Sequence, residues 1–193
     1  MIERAPDPRS LRTVANLRNA LRVSLREHPL DDISVSELCR HADVRRTTFY
    51  THYSSVADLL TEMLTTDIDR LLDVPGTAGK SVAQLAEDFQ ETLVAAFRLV
   101  TDERHNFRVG FDSDASAPLR RSLTAMFARR VDIALGIWHA QGAALDADPV
   151  AAAAFVSGGL TASVEAWASS DETDAECWAN SVRDQMPPWW PRV

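Results

Sequence analysis

The stretch from Ile33 to Tyr53, ISVSELCRHADVRRTTFYTHY, constrains this chain more than any other. Ser34 followed by Glu37 is the pattern of a capping box, and Val35, Leu38 and Cys39 repeat at helical spacing. His41-Ala42-Asp43-Val44 breaks that pattern, and Asp43 suits a turn because Asp tolerates a left-handed backbone. Arg45 to His52 then predicts a second helix of about two turns. Phe49 and Tyr53, four apart, would hold it on a core, leaving Arg, Thr, Tyr and His outward. Those are the residue types of a groove-reading helix: Arg bonds a guanine edge bidentately, Thr offers a hydroxyl or a methyl, and Tyr and His reach phosphates. The same spacing also fits a polar surface helix of any helical bundle.

Ala42-Asp43-Val44-Arg45-Arg46-Thr47-Thr48-Phe49-Tyr50-Thr51-His52-Tyr53, followed by Leu59-Leu60, resembles the signature of the tetracycline-repressor (TetR) family of transcriptional regulators. That signature runs roughly A-G-V-S-x-G-T-[FL]-Y-x-[HY]-F, and Ile33 to Cys39 resembles the stretch that opens its second helix. Asp43 and Thr47 stand where glycines are usual, Arg45 where a serine usually caps the recognition helix, and Val56-Ala57 where Lys-Glu usually opens helix four. The resemblance implies that Arg45, Arg46, Thr47 and Thr51 lie nearest base edges, while Ser34, Thr48, Tyr50 and His52 mainly hold phosphates, with Ser36 also among the DNA-binding residues. It also implies a homodimer on a palindromic double-stranded DNA operator, released by a small-molecule effector.

The 193 residues carry a formal charge of −8, which argues against nucleic acid only as a sum. Met1 to Val56 holds nine arginines against seven acids, a net +2, leaving −10 for the remainder. Arg18, Arg22 and Arg26 form a basic stripe on the first helix that is either solvated or near phosphates; Arg4 and Arg9 sit on an expected N-terminal arm.

The remaining segments read as helices, and no segment alternates as a strand does. The expected fold is all-α: a three-helix helix-turn-helix unit, residues 1–56, and a larger effector-binding and dimerisation bundle, residues 57–193, linked by a helix over 55–72. Helices are expected over about 9–28, 81–100, part of 104–116, 118–141, 149–167 and 172–185, with a break at Val74–Lys80 and a tail from Met186. Phe89, Phe97, Phe107, Phe111, Phe127 and Trp138 suggest a mostly apolar effector pocket, with Arg104, His105, Arg130 and His139 as its polar groups. Ala153, Ala154, Ser157, Gly158 and Thr161, with Trp178 and Val182, are the expected dimer surface.

No enzyme pattern, metal-spacing motif or phosphate loop is present, so no cofactor and no catalysis are expected. Neither a membrane span nor the apolar stretch of a signal peptide is evident, which predicts a cytoplasmic protein. The alternative is a helical ligand-binding or interaction module with weak or lost DNA binding, favoured by Val56 in place of lysine.

Overall fold

The computed structural model describes residues 7–73 and 79–191, so Arg4 and most of the expected break at Val74–Lys80 lie outside the described residues. Among those residues the chain forms nine α-helices and one 3-10 turn, Leu30–Asp32, and no strand.

Helix α1, Pro8–Leu25, starts where the Asp7 side chain accepts the Arg9 amide, with Pro8 in the first turn. It stops three residues short of the expected His28. Arg26 and Glu27 bond back to Val23 and Ser24, a three-residue tightening that ends the regular ladder. Helix α2, Val35–His41, begins with the Ser34 oxygen accepting the Glu37 amide at 3.2 Å. The reciprocal half of the expected box is not made: the Ser34 hydroxyl donates to the Glu37 carboxylate at 2.9 Å instead. That bond holds the Glu37 carboxyl below its ordinary range.

Asp43 adopts φ 54°, and the Val44 amide reaches the Cys39 carbonyl at 2.9 Å. This closure is the Schellman arrangement, which turns the chain directly into α3. Helix α3, Arg46–Tyr50, is shorter than the expected eight residues. Arg45 supplies no side-chain cap at its start; at its end the Thr51 and His52 amides bond three residues back, to Thr48 and Phe49. Thr51 and His52 therefore sit just past the helix.

Helix α4, Val56–Leu71, buries Leu59, Leu60, Met63, Leu64 and Ile68, with Leu60 and Leu64 reaching toward Gly110 of the bundle. It packs on α1 and also on the bundle helices α5 (Val82–Asp102), α6 (Arg104–Asp112) and α7 (Ser116–Ala140). The bundle is completed by α8, Pro149–Ser169, on α7, and by α9, Ala175–Asp184, on α5. Ser81 and Gln84 form the full capping box of α5. The sharpest contact lies at Gly110 of α6, where an added Cβ would stand 2.8 Å from Leu119 Cδ2 and 3.1 Å from Leu64 Cδ1.

Helix α8 has an 18-residue window of mean hydropathy 1.2, enough by length and composition for a membrane span. Its buried face, Ala152, Val156, Leu160 and Val164, is used inside the bundle, and its Glu165 pairs with Arg120 of α7.

Candidate nucleic-acid interface and ligand cavity

Phe49 is fully buried and Tyr53 nearly so, with ring centroids 5.7 Å apart. These two rings fix α3 against the core of the small unit, and the helix's other face is thereby turned outward. Ser34, Ser36, Arg45, Arg46, Thr47, Tyr50, Thr51 and His52 are all exposed, and Thr48 is half-buried. All nine side chains expected at DNA thus lie on α3 or at its ends, or at the start of α2. Tyr50 stands edge-on to Phe49, and the Arg46 guanidinium sits 6.0 Å from the Tyr50 ring. Among the described residues, Arg45 and Arg46 make no ion pair. The start of α4 is less suited to a phosphate. Val56 is buried, and the Asp58 carboxylate already takes the Ser54 amide at 2.8 Å and the Ser54 hydroxyl at 3.0 Å.

The basic stripe of α1 does not face solvent. Arg18, 7% exposed, donates to Glu62 of α4 in a forked pair at 2.7–3.2 Å, and reaches Asp67 at 3.5 Å. Arg22 bonds Asp67 at 2.5 Å and Glu103, at the α5–α6 junction, at 3.1 Å. Arg26 alone of the three is exposed. The Tyr53 hydroxyl donates to Glu62 at 3.2 Å, and burial together with that carboxylate pushes the Tyr53 phenol up to about 12. His105 Nε2 donates to the Leu25 carbonyl at 2.7 Å. A charged seam therefore joins the helix-turn-helix unit to α4 and directly to the bundle.

Between α5 and α7 lies a cavity of about 250 Å³. Of the ten residues expected at an effector pocket, five line it: Phe89, Phe97, Phe127, Arg130 and Trp138. Leu72 and Asp73, just past α4, also reach it, and Arg130 ties it to α4 by donating to the Asp69 carboxylate at 2.9 Å and the Asp69 carbonyl at 2.8 Å.

The other five expected pocket residues are elsewhere, each for a local reason. Arg104 satisfies carbonyls at the end of α8, those of Trp167, Ser170 and Glu172, with its guanidinium 5.2 Å from the Trp167 ring. His105 is spent on Leu25, and His139 holds the Ala144 carbonyl at 2.9 Å beyond α7. Phe107 and Phe111 face the general core, at 0% and 5% exposure, because α6 turns its apolar face toward α4, α7 and α8. Sequence reading missed Trp190, which lines the cavity from the segment after α9. The available signal was a pair of tryptophans among prolines, large apolar rings that require a burial site.

The expected dimer residues divide between two faces of α8. Ala153, Ser157 and Thr161 are buried within the chain, the Thr161 hydroxyl 3.0 Å from that of Thr124 on α7. Ala154 and Gly158 lie on the open face, beside Phe155 at 69% and Val150 at 79% exposure. Trp178 stacks on Trp167 at 5.4 Å, and Val182 is 9% exposed. Trp178, Val182 and Phe155 line an apolar groove between α8 and α9.

No family model and no curated protein sequence matches the chain. Solved structures do. A TetR-family transcriptional regulator from Pectobacterium atrosepticum superposes with TM-score 0.60 at 20% identity, over 97% of this chain and 100% of that one. The fatty acid degradation regulator FadR from Bacillus halodurans gives TM-score 0.63 at 16% identity, over 95% and 96%. RolR in complex with resorcinol gives 0.61 at 20% identity, over 92% and 89%. The fold of this chain is that of the TetR-family transcriptional regulators.

Proposed function

We propose that this protein is a homodimeric, ligand-responsive DNA-binding transcriptional regulator. The observation that carries this reading is the α3 surface. Two buried rings anchor it, and two arginines without ion-pair partners among the described residues stand outward beside Thr47, Tyr50, Thr51 and His52. A five-residue helix spans about 7.5 Å and reads only a few base pairs, so specificity calls for two half-sites about 34–36 Å apart. A second copy would seat on the open face of α8 and on α9, where Val150, Phe155 and Gly158 are uncovered. Such a protein works where the DNA is, in the cytoplasm.

The cavity is read as the effector site, and the effector as a mostly apolar, ring-bearing molecule. RolR holds resorcinol, and the cavity here is walled by Phe89, Phe97, Phe127 and Trp138. Its route to DNA is α4. A ligand between α5 and α7 meets Leu72, Asp73 and Arg130, which touch or continue α4, and α4 carries Glu62 and Asp67 onto Arg18 and Arg22 of α1. Coupling of this kind is worth about 1–3 kcal/mol, and only to the extent that the ligand prefers one of the two states.

The second reading, a helical module that has lost DNA binding, is favoured by the start of α4. Buried Val56 offers no cation there, and the Asp58 carboxylate already accepts from the Ser54 amide. Fluorescence anisotropy on the DNA flanking the protein's own coding region separates the two. Saturable binding that weakens with added salt supports the regulator; no binding above that to unrelated DNA supports the module.

A further inference from the structure

One wall of the cavity comes from neither α5 nor α7. After α9 the chain turns through Pro187, Pro188 and Trp189, the Trp190 amide donating to the Pro187 carbonyl at 2.9 Å. The turn carries Trp190 back into the bundle, where it is 3% exposed. Its ring centroid lies 4.9 Å from that of Phe89 on α5 and 4.6 Å from that of Trp138 on α7. The two helices thus form an aromatic slot, and a third ring from a non-helical segment fills it.

A second observation shows how loosely that ring is committed. Among the described residues, the buried Trp190 indole Nε1 has no hydrogen-bond partner. Buried indole N–H groups ordinarily find an acceptor, because losing water without replacement is unfavourable. The seated ring gains a tilted contact with Phe89, an edge-on contact with Trp138 and apolar burial, but gives up its one polar bond. Withdrawing it would return that N–H to water and would disturb a turn rather than a helical ladder.

We propose that Trp190 is a displaceable plug: an aromatic ligand takes over the slot between Phe89 and Trp138, and Trp190 leaves it. This rests on the reading of the cavity as the effector site. It also sets the ligand class. A cavity of about 150 Å³ holds one benzene, so the 250 Å³ open beside the seated plug suits a ligand of one or two rings. A neutral molecule of three rings needs more room between α5 and α7, which the departure of Trp190 supplies.

The test uses the full chain and N-phenyl-1-naphthylamine, a neutral three-ring fluorophore that brightens in apolar sites. If the slot is open about a tenth of the time, apparent affinity is reduced about tenfold. Trp190→Ala is therefore expected to bind the probe about tenfold more tightly than wild type. Trp190→Phe, which keeps a ring and removes the unpaired N–H, is expected to bind it no more tightly than wild type. In protein labelled with 5-fluorotryptophan, the Trp190 fluorine resonance, assigned by its loss in Trp190→Phe, should move to a solvent-exposed position at saturating probe. This readout uses the unmutated sequence and stands even if Trp190→Ala is unstable. Probe bound with the Trp190 resonance unmoved overturns the plug and leaves the effector site intact. Binding to Trp190→Ala no tighter than to wild type does the same. No fluorescence gain with either protein overturns both.

Discussion

Arg22 on α1 and Glu103 at the α5–α6 junction form an ion pair at 3.1 Å across 81 residues of chain. The pair is partly buried, with side-chain exposures of 29% and 24%, and Asp67 shares the same guanidinium. It is a direct charge contact between the helix-turn-helix unit and the bundle that bypasses the linking helix. Breaking one partner leaves the other charge half-buried and unpaired. A double-mutant cycle with Arg22→Met and Glu103→Gln, read by urea unfolding, should return a coupling energy of about 1–2 kcal/mol. A value near zero would mean that this ion pair adds nothing to the hold between the two parts.

The alkaline limit of stability should report on Tyr53. Burial and the Glu62 carboxylate raise its phenol to about 12, above the ordinary value of 10. The folded state thus favours the protonated form. Its contribution is complete below pH 10 and is lost as pH rises from about 10 to 12. Tyr53→Phe should flatten the fall of melting temperature across that window, and an unchanged fall would assign the loss to other groups.

Gly110 permits the close crossing of α6 over α4 and α7. Gly110→Ala places a methyl 2.8 Å from Leu119 and 3.1 Å from Leu64, both buried side chains that must shift. Overpacking of this kind costs about 1–3 kcal/mol, against a smaller gain in helix propensity. Chemical denaturation should show net destabilisation; a stabilised variant would show that the crossing has slack.

Much of the small unit was legible because its determinants are local. The Ser34 cap, the left-handed Asp43 and the Phe49–Tyr53 anchor involve residues no more than four apart. The seam was not legible. Arg18 and Arg22 read as a stripe either solvated or near phosphates because their partners lie 44 to 81 residues away, and periodicity carries no information about them. The small residues of α8 were misgrouped for a geometric reason. Positions 153, 157 and 161 follow one stripe of the helix and 154 and 158 the next, about 100° round, and which stripe meets α7 is decided by tertiary packing. Three of the expected pocket residues, Arg104, His105 and His139, lie elsewhere for a related reason: an arginine or histidine near a bundle end satisfies a backbone carbonyl as readily as it lines a cavity. Trp190 lay in a proline-bounded segment with no period to read.

The open face of α8 makes the dimer testable without disturbing the monomer. A side chain added at Gly158 meets nothing within 4 Å in the single chain, and Phe155 is mostly in water there. Gly158→Trp and Phe155→Asp should therefore keep the melting profile of an isolated subunit while halving the mass seen by light scattering at micromolar concentration. Variants that remain dimeric would move the interface elsewhere, and a monomeric wild-type protein would contradict the proposed dimer.

The central claim is that α3 reads DNA. The most direct test is the affinity of Arg46→Ala for the DNA flanking its own coding region, measured at moderate salt beside wild type and beside Arg98→Ala. Arg98 is an exposed arginine on α5, distant in sequence and fold from α3. Loss of a base contact should weaken Arg46→Ala by about 1–3 kcal/mol, roughly a five- to 150-fold rise in Kd, while Arg98→Ala stays at the wild-type value. Equal affinity for Arg46→Ala and wild type, or the same loss in both variants, would contradict the account.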